Sequence, residues 1–141
     1  MALIQLLYVS SASEPLDAAG LARILESAVR LNNANQITGM LLYAGGNFMQ
    51  VLEGEEAKVI ATFERIAQDA RHHNLIELMR EPAAARDFSR WFMGFRQLGI
   101  EDARHYPAFA PFFKAGFDPA SIGARPGLAL DMLKCFSETV R

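Results

Sequence analysis

The sequence predicts an α+β domain of the ferredoxin-like class, in which the order β-α-β-β-α-β is followed by an extra strand. Strand-like apolar runs alternate with two amphipathic segments of helical period. The trio Gly45-Gly46-Asn47 joins two of these runs, which is a strong short-range signal for a β-hairpin. The 141 residues suit one domain, and 51% hydrophobic with 21% charged residues is typical of a globular protein with its own core. We therefore expect a mixed sheet with two helices on one face.

The first strand and the first helix lie before the hairpin. Residues 3–9 are apolar on both sides of an extended chain, which indicates a central strand. Asp17 is a suitable N-cap for the helix that follows. The pair Asn32-Asn33 is expected to close this helix. Its apolar stripe recurs at three- and four-residue spacing through Leu21, Ile24, Leu25, Ala28 and Val29.

A second helix and two further strands follow the hairpin. The helix is expected to end near residues 71–73. Residues 75–79 read as a strand, 86–88 as a short connector and 91–95 as the last strand, with Trp91, Met93 and Phe95 on one face. The apolar side of the second helix consists of Val59, Phe63, Ile66 and Ala67.

The chain changes character after residue 98, so we expect a domain over residues 1–98 and a C-terminal helical extension over 99–141. Aromatic residues crowd a segment that Pro107, Pro111 and Pro119 interrupt. This extension is too apolar for a solvated linker, so we expect it to cover the open face of the sheet, to form a subunit contact, or both. A final helix carries the stripe Ala129, Met132, Leu133, Phe136 and Val140.

Composition argues against several classes of partner. The formal net charge is −2 and the charges are scattered, so the chain lacks the basic face that nucleic-acid binding requires. No apolar run approaches the roughly 20 residues of a membrane span, and the N-terminus lacks the basic and apolar regions of a signal peptide. Cys135 is the single cysteine, which excludes an internal disulfide framework. Together these features favour the cytoplasm.

Catalytic and metal-binding motifs are absent from the sequence. It contains no glycine-rich phosphate loop, no HExxH, no CxxC and no Gly-x-Ser-x-Gly. His72 and His73 are adjacent, so on a helix they would point in different directions and would not chelate one ion together. The carboxylates form no convincing acid/base pair. We therefore expect neither an enzyme nor a metal site.

Polar residues at strand positions are the unusual feature of this chain. Alternation along the second hairpin strand places Gln50 on the same face as Phe48 and Leu52. A buried amide without partners costs roughly 1–3 kcal/mol, so an inward-facing Gln50 must have a hydrogen-bond partner. Tyr8 on the first strand and Asn32 at a helix end are further candidates, although a packed aromatic and a helix cap are the ordinary interpretations.

Taken together, these residues resemble the BLUF family, the sensors of blue light using FAD. The resemblance covers roughly residues 2 to 98. It rests on the strand ending in Tyr8, on Asn32 followed by residues 37–43 (ITGMLLY), on residues 48–54 (FMQVLEG), and on the pair Trp91-x-Met93.

The resemblance implies a bound FAD, with FMN or riboflavin as possible substitutes, whose ring lies between the two long helices. It implies that Tyr8 hydrogen-bonds Gln50, and that Gln50 contacts flavin N5 and, after illumination, the carbonyl at C4. By the same resemblance Asn32 bonds the polar edge of the ring and Arg71 lies near the C2 carbonyl. Arg65 and Asp69 would help to hold the ribityl or phosphate end.

The resemblance further implies a blue-light photoreceptor without enzymatic output. Light would drive electron and proton transfer from Tyr8 to the flavin, the Gln50 hydrogen bonds would rearrange, and Trp91 and Met93 would report the flavin's state. The result would be a reversible change in interaction with a separate effector protein or within a homo-oligomer. An enzyme on the same scaffold, such as an acylphosphatase-like hydrolase or a small flavin reductase, is disfavoured because the sequence shows neither a phosphate-binding Arg nest nor a nicotinamide site. From the fold alone, a small-molecule-sensing regulatory module without photoactivity stays open.

Overall fold

The computed structural model describes residues 2–13, 16–44, 46–89, 93–98, 100–107 and 126–138. Within these residues the strands are β1 (Leu3–Ala12), β2 (Thr38–Ala44), β3 (Asn47–Glu55), β4 (His72–Pro82) and β5 (Gly94–Gln97). The helices are α1 (Ala18–Ala34), α2 (Glu56–Ala67), α3 (Ile100–His105) and α4 (Pro126–Ser137). This order confirms the predicted β-α-β-β-α-β arrangement with an added strand and a C-terminal helix.

The strands form one mixed sheet in the order β4-β1-β3-β2-β5. Neighbours are antiparallel except β2 and β5, which run parallel. The central strands β1 and β3 pair along nine positions, and Tyr8 lies directly opposite Gln50 in that register. The sheet itself therefore brings together the two polar residues that the sequence singles out.

The hairpin between β2 and β3 fixes which face each β3 residue occupies. Ala44 pairs with Asn47, and Gly46 in the turn has a φ of +85°, a conformation that glycine adopts without strain. Farther along the pair, a Cβ atom on Gly39 would lie 2.0 Å from the carbonyl oxygen of Val51, so only glycine fits there. A slip of one residue would turn Gln50 to the other face of the sheet, and these two glycines help to prevent it.

Helix α1 is as predicted at its start and different at its end. The Asp17 side chain accepts a hydrogen bond from the backbone N–H of Gly20 at 2.7 Å, which confirms the N-cap. The expected cap residue Asn32 lies inside the last turns, and Asn35 caps the helix. Val29, assigned to the apolar stripe, is 40% exposed because it lies about 100° around the helix from Ala28.

The connection from α2 to β4 differs from the prediction. Helix α2 ends at Ala67 rather than near residues 71–73, and β4 already begins at His72. The Asp69 carboxylate accepts the backbone N–H of Arg71 at 2.9 Å and so stabilises a turn in place of another helical turn. The two histidines are therefore strand residues, opposite Ala12 and Ser11 of β1.

Helices cover both faces of the sheet. One face packs against α1 and α2 through a cluster that includes Tyr8, Leu41 and Phe48. The opposite face packs against α4, which confirms that the C-terminal helix covers the open face of the sheet. Residues 108–125, which include most of the predicted aromatic segment, and Val140 lie outside the described residues. The buried residues of α4 are Ala129, Met132, Leu133 and Phe136. Among the described residues, no helix has both the length and the apolar character that a membrane crossing requires.

Candidate functional site

A cavity of about 270 Å³ lies between α1 and α2 and is closed at its base by the sheet. Its volume is near the lower end of the roughly 300–1,000 Å³ typical of small-molecule sites. All six residues that the sequence assigns to cofactor binding line this cavity: Tyr8, Asn32, Gln50, Arg65, Asp69 and Arg71.

Tyr8 and Gln50 form the inner end of the cavity. The Tyr8 hydroxyl donates a hydrogen bond to Oε1 of Gln50. The two side chains are only 2% and 5% exposed. Their contact follows from the strand register, because directly opposed residues on neighbouring strands have Cβ atoms about 5 Å apart.

The other end of the Gln50 amide contacts Met93. Nε2 of Gln50 donates to the Met93 sulfur at 3.1 Å, across the width of β2. Met93 lies immediately before β5 and is 6% exposed. A thioether is a weak acceptor, so this bond holds the amide less firmly than the phenol does. Trp91, assigned with Met93 to signal relay, lies outside the described residues.

The Tyr8 phenol lies in an environment that keeps it protonated. Its ring packs edge-to-face against Phe63 of α2, with ring centroids 5.5 Å apart. Burial raises the pKa of the phenol well above its ordinary value of 10.0, and the negative charge of Asp69 raises this pKa further. At neutral pH Tyr8 is therefore a neutral hydrogen-bond donor.

Asn32 adds a third polar side chain to the cavity. It is 3% exposed because it follows Leu21 by eleven residues, which is close to three full helical turns and so returns to the inward face. Its backbone carbonyl accepts the N–H of Ile37 at 2.8 Å, which ties the end of α1 to the entry into β2. The helix thus holds a carboxamide at a fixed position in the wall.

Charged residues lie toward the outer part of the cavity. Arg65 extends from α2, while Asp69 and Arg71 belong to the connection between α2 and β4. The Arg71 guanidinium binds the Asp69 carboxylate, with Nε at 2.9 Å from Oδ2. This hydrogen bond raises the pKa of Arg71, with a smaller contribution from the carboxylate's charge and an opposing one from partial burial.

Nine lining residues were not among the six assigned to cofactor binding, and four of these nine received no assignment of any kind from the sequence: Ser27, Arg30, Leu31 and Thr62. Ser27 and Leu31 follow the already assigned Ile24 at three- and seven-residue spacing, so helical period was the signal that could have found them. Thr62 is 3% exposed although it is polar, and its position inside the α2 stripe could have marked it.

The cavity suits a flat heteroaromatic ring. Apolar side chains of Ile24, Ala28 and Ile66 line its walls, whereas hydrogen-bonding side chains gather at its inner end. Such a ring has apolar faces and a polar edge, which is the complementary pattern. Among the described residues, no group of three His, Cys, Asp or Glu side chains is placed to hold a metal ion.

The family to which the chain belongs follows from comparison with known proteins. The family model described as BLUF, sensors of blue-light using FAD, matches residues 3–94. The chain therefore belongs to the BLUF family, a class of flavin-binding blue-light sensors, and FAD is the family's chromophore.

Several relatives support this assignment. The chain is 35% identical over 100 residues to the blue light- and temperature-regulated antirepressor BluF of Escherichia coli, covering 71% of this chain and 25% of that protein. It is 38% identical over 84 residues to the photoactivated adenylate cyclase subunit alpha of Euglena gracilis, covering 60% of this chain and 8% of the relative. The chain thus spans a quarter or less of the length of these two relatives.

Solved structures show the same fold. The ground state of BlsA aligns with a TM-score of 0.79 at 29% identity, covering 94% of this chain and 87% of that one. The dark-state structure of BlrB, a BLUF protein, aligns with a TM-score of 0.68 at 27% identity, covering 87% of this chain and 96% of that one. Both alignments cover much of this chain, which supports the assignment of the fold.

Proposed function

We propose that this chain is a blue-light photoreceptor in which Tyr8 and Gln50 carry the photochemical response and Met93 and Trp91 relay it. One observation carries the proposal. The buried Gln50 amide accepts from the Tyr8 hydroxyl at one end and donates to the Met93 sulfur at the other, at the inner end of the cavity. An amide in this position is able to exchange its donor and acceptor ends between two partners.

Bound FAD supplies the absorption of blue light and an excited state that accepts an electron. Tyr8 supplies that electron from its phenol and then releases the hydroxyl proton along the hydrogen bond toward Gln50. The electron and the proton both return to Tyr8 before the photocycle ends, so Tyr8 undergoes no net oxidation. Because burial keeps the phenol protonated at neutral pH, its hydroxyl proton is available to follow the electron.

The Gln50 side chain stays rearranged after the electron and the proton have returned to Tyr8. If the oxygen and the NH₂ group of its amide change places, the NH₂ group faces Tyr8 and the Met93 sulfur loses its donor. Two hydrogen-bond arrangements of one side chain make a two-state element whose populations light shifts. No covalent bond has changed, so the original arrangement returns in the dark. Asn32, Arg65, Asp69 and Arg71 hold the cofactor in this scheme.

The output is a change in protein–protein interaction. The flavin-binding domain comprises residues 1–98 and the C-terminal extension residues 99–141. The signal leaves through β5 and α4 to a separate cytoplasmic effector or to another copy of the chain, without enzymatic activity in this stretch. Relatives that are an antirepressor and cyclase subunits support a regulatory output.

The test is a pair of tyrosine variants in the FAD-loaded protein. Wild-type protein is expected to be yellow and to show a reversible shift of its absorption to longer wavelength under blue light. Tyr8→Phe is expected to retain FAD and to lose the stable shift. Tyr43→Phe is the matched control, because Tyr43 is also buried on the face that packs against α1 and α2, at 6% exposure, but does not line the cavity.

A normal photocycle in Tyr8→Phe, or its loss in Tyr43→Phe alone, would contradict the assigned roles. A colourless wild-type protein that binds no flavin would instead favour a small-molecule-sensing module without photoactivity.

A further inference from the structure

Glu53 is a buried carboxylate that the photochemical scheme does not use. It lies on β3 three residues after Gln50, is 1% exposed, and is not part of the cavity lining. Its two oxygens accept four hydrogen bonds, which is about the full capacity of a carboxylate. The donors are the Thr38 hydroxyl at 3.0 Å, the Gln5 amide at 2.9 Å, and the backbone N–H groups of Asp87 at 2.7 Å and Phe88 at 2.8 Å.

These bonds attach the connection between β4 and β5 to the centre of the sheet. Two of the donors are successive backbone N–H groups of that connection, so the carboxylate holds its main chain. Arg86 adds a second attachment, because its guanidinium donates to the carbonyl oxygens of Glu53 at 3.1 Å and Gln36 at 2.7 Å. Residues 86–88 are thereby fixed to β3.

The same connection leads to Met93, the partner of the Gln50 amide. Strand β3 therefore holds the chain between β4 and β5 at two points, through Glu53 at residues 87–88 and through Gln50 at residue 93.

The attached segment also contacts the C-terminal helix. Phe88 is 2% exposed and belongs to the buried cluster that includes Met132, Leu133 and Phe136 of α4. The Asp87 carboxylate lies 3.4 Å from Nζ of Lys134 on the same helix. Glu53 thus connects the strand that carries Gln50 to the helix on the opposite face of the sheet.

We propose that Glu53 is a positioning residue that sets the rate of dark recovery by holding residues 86–88, and through them Met93, in place beside Gln50. This inference rests on the proposed photocycle. A firmly held Met93 narrows the space in which the Gln50 amide turns, and so slows its return to the dark arrangement.

The test replaces Glu53 by glutamine in the full-length, FAD-loaded protein. An amide NH₂ group cannot accept, so in either orientation it faces a backbone N–H of Asp87 or Phe88 and loosens the segment. Dark recovery after a blue-light pulse, followed by flavin absorption, is expected to accelerate about fivefold, which corresponds to about 1 kcal/mol off the barrier. Glu55→Gln is the matched control, since it makes the same change two residues along β3 at a partly exposed position, and its recovery is expected to equal that of wild type.

A double-mutant cycle separates positioning from general destabilisation. If Glu53 acts through Met93, the Glu53→Gln change accelerates recovery much less in a Met93→Ala background than in wild type. Equal acceleration in both backgrounds would overturn the inference, as would wild-type recovery in Glu53→Gln.

Two further outcomes keep the test decisive. If Glu53→Gln does not fold, Arg86→Lys serves in its place. It loosens the same segment because a single ammonium group cannot replace the guanidinium at both carbonyls. Unchanged dark recovery in Arg86→Lys would overturn the inference. A wild-type protein without any photocycle would instead refute the proposed function, so the two failures are distinguishable.

Discussion

Replacing Phe136 by alanine tests whether the C-terminal helix is an integral part of the fold and yet is not required for the light-induced absorption shift. Phe136 is fully buried on the face of the sheet opposite the cavity. Its ring packs edge-to-face on Tyr106, with centroids 4.9 Å apart, and the Arg96 guanidinium carbon lies 4.8 Å from the ring centroid. A buried Phe→Ala change costs about 3–5 kcal/mol, and the lost cation–π contact adds to it.

Thermal unfolding of the FAD-loaded protein measures this cost. At about 4 °C per kcal/mol for a chain of this size, the melting temperature of Phe136→Ala is expected to fall by about 12–20 °C. Below that temperature the light-induced absorption shift is expected to persist, because the change lies on the other side of the sheet. Asp131→Ala, at an exposed position of the same helix, is the control and should change the stability by less than about 0.5 kcal/mol. An unchanged melting temperature in Phe136→Ala would refute the packing of α4 against the sheet. Loss of the absorption shift in the folded variant would refute the expectation that the shift does not depend on Phe136.

Two more predictions concern the inner end of the cavity. Gln50→Leu is expected to retain FAD and to lose the light-induced absorption shift, and a shift that persists in absorption spectra would contradict the assignment of Gln50. The same change leaves the Tyr8 hydroxyl without its acceptor, which lowers the free energy of unfolding by about 1–3 kcal/mol, as thermal melts can measure. Burial raises the pKa of Tyr8 above 10.0, so the folded protein keeps a proton that the unfolded chain loses at high pH. The free energy of unfolding is therefore full below about pH 10 and falls above it by about 1.4 kcal/mol per pH unit. Denaturant titrations should show a shallower fall in Tyr8→Phe, and an equal slope in both proteins would contradict the burial of the phenol.

Much of the fold was predictable because its signals are local. The hairpin turn and the Asp17 cap act over a few residues, and both are confirmed in the structure. The errors fall where tertiary contacts override local preference. The end of α2 was placed too late because the turn at Asp69 depends on a side-chain hydrogen bond that periodicity does not reveal.

The candidate site was predictable to a different degree. Tyr8 and Gln50 were recognisable as polar residues at buried strand positions, but their direct opposition depends on the register of β1 and β3, which are far apart in sequence. The four donors to Glu53 come from three separate parts of the chain, so no short sequence motif predicts these hydrogen bonds. Glu53 appears in the sequence as an ordinary acidic residue at the end of a strand.

The most direct test of the account is an infrared difference spectrum, illuminated minus dark, of FAD-loaded protein with isotope-labelled glutamine. If Gln50 stores the light signal, a glutamine amide band shifts with the label, appears together with the flavin absorption shift, decays at the same rate in the dark, and is absent from Gln50→Leu. A flavin absorption shift without any label-sensitive amide band would contradict the claim that rearrangement of the Gln50 side chain stores the light signal.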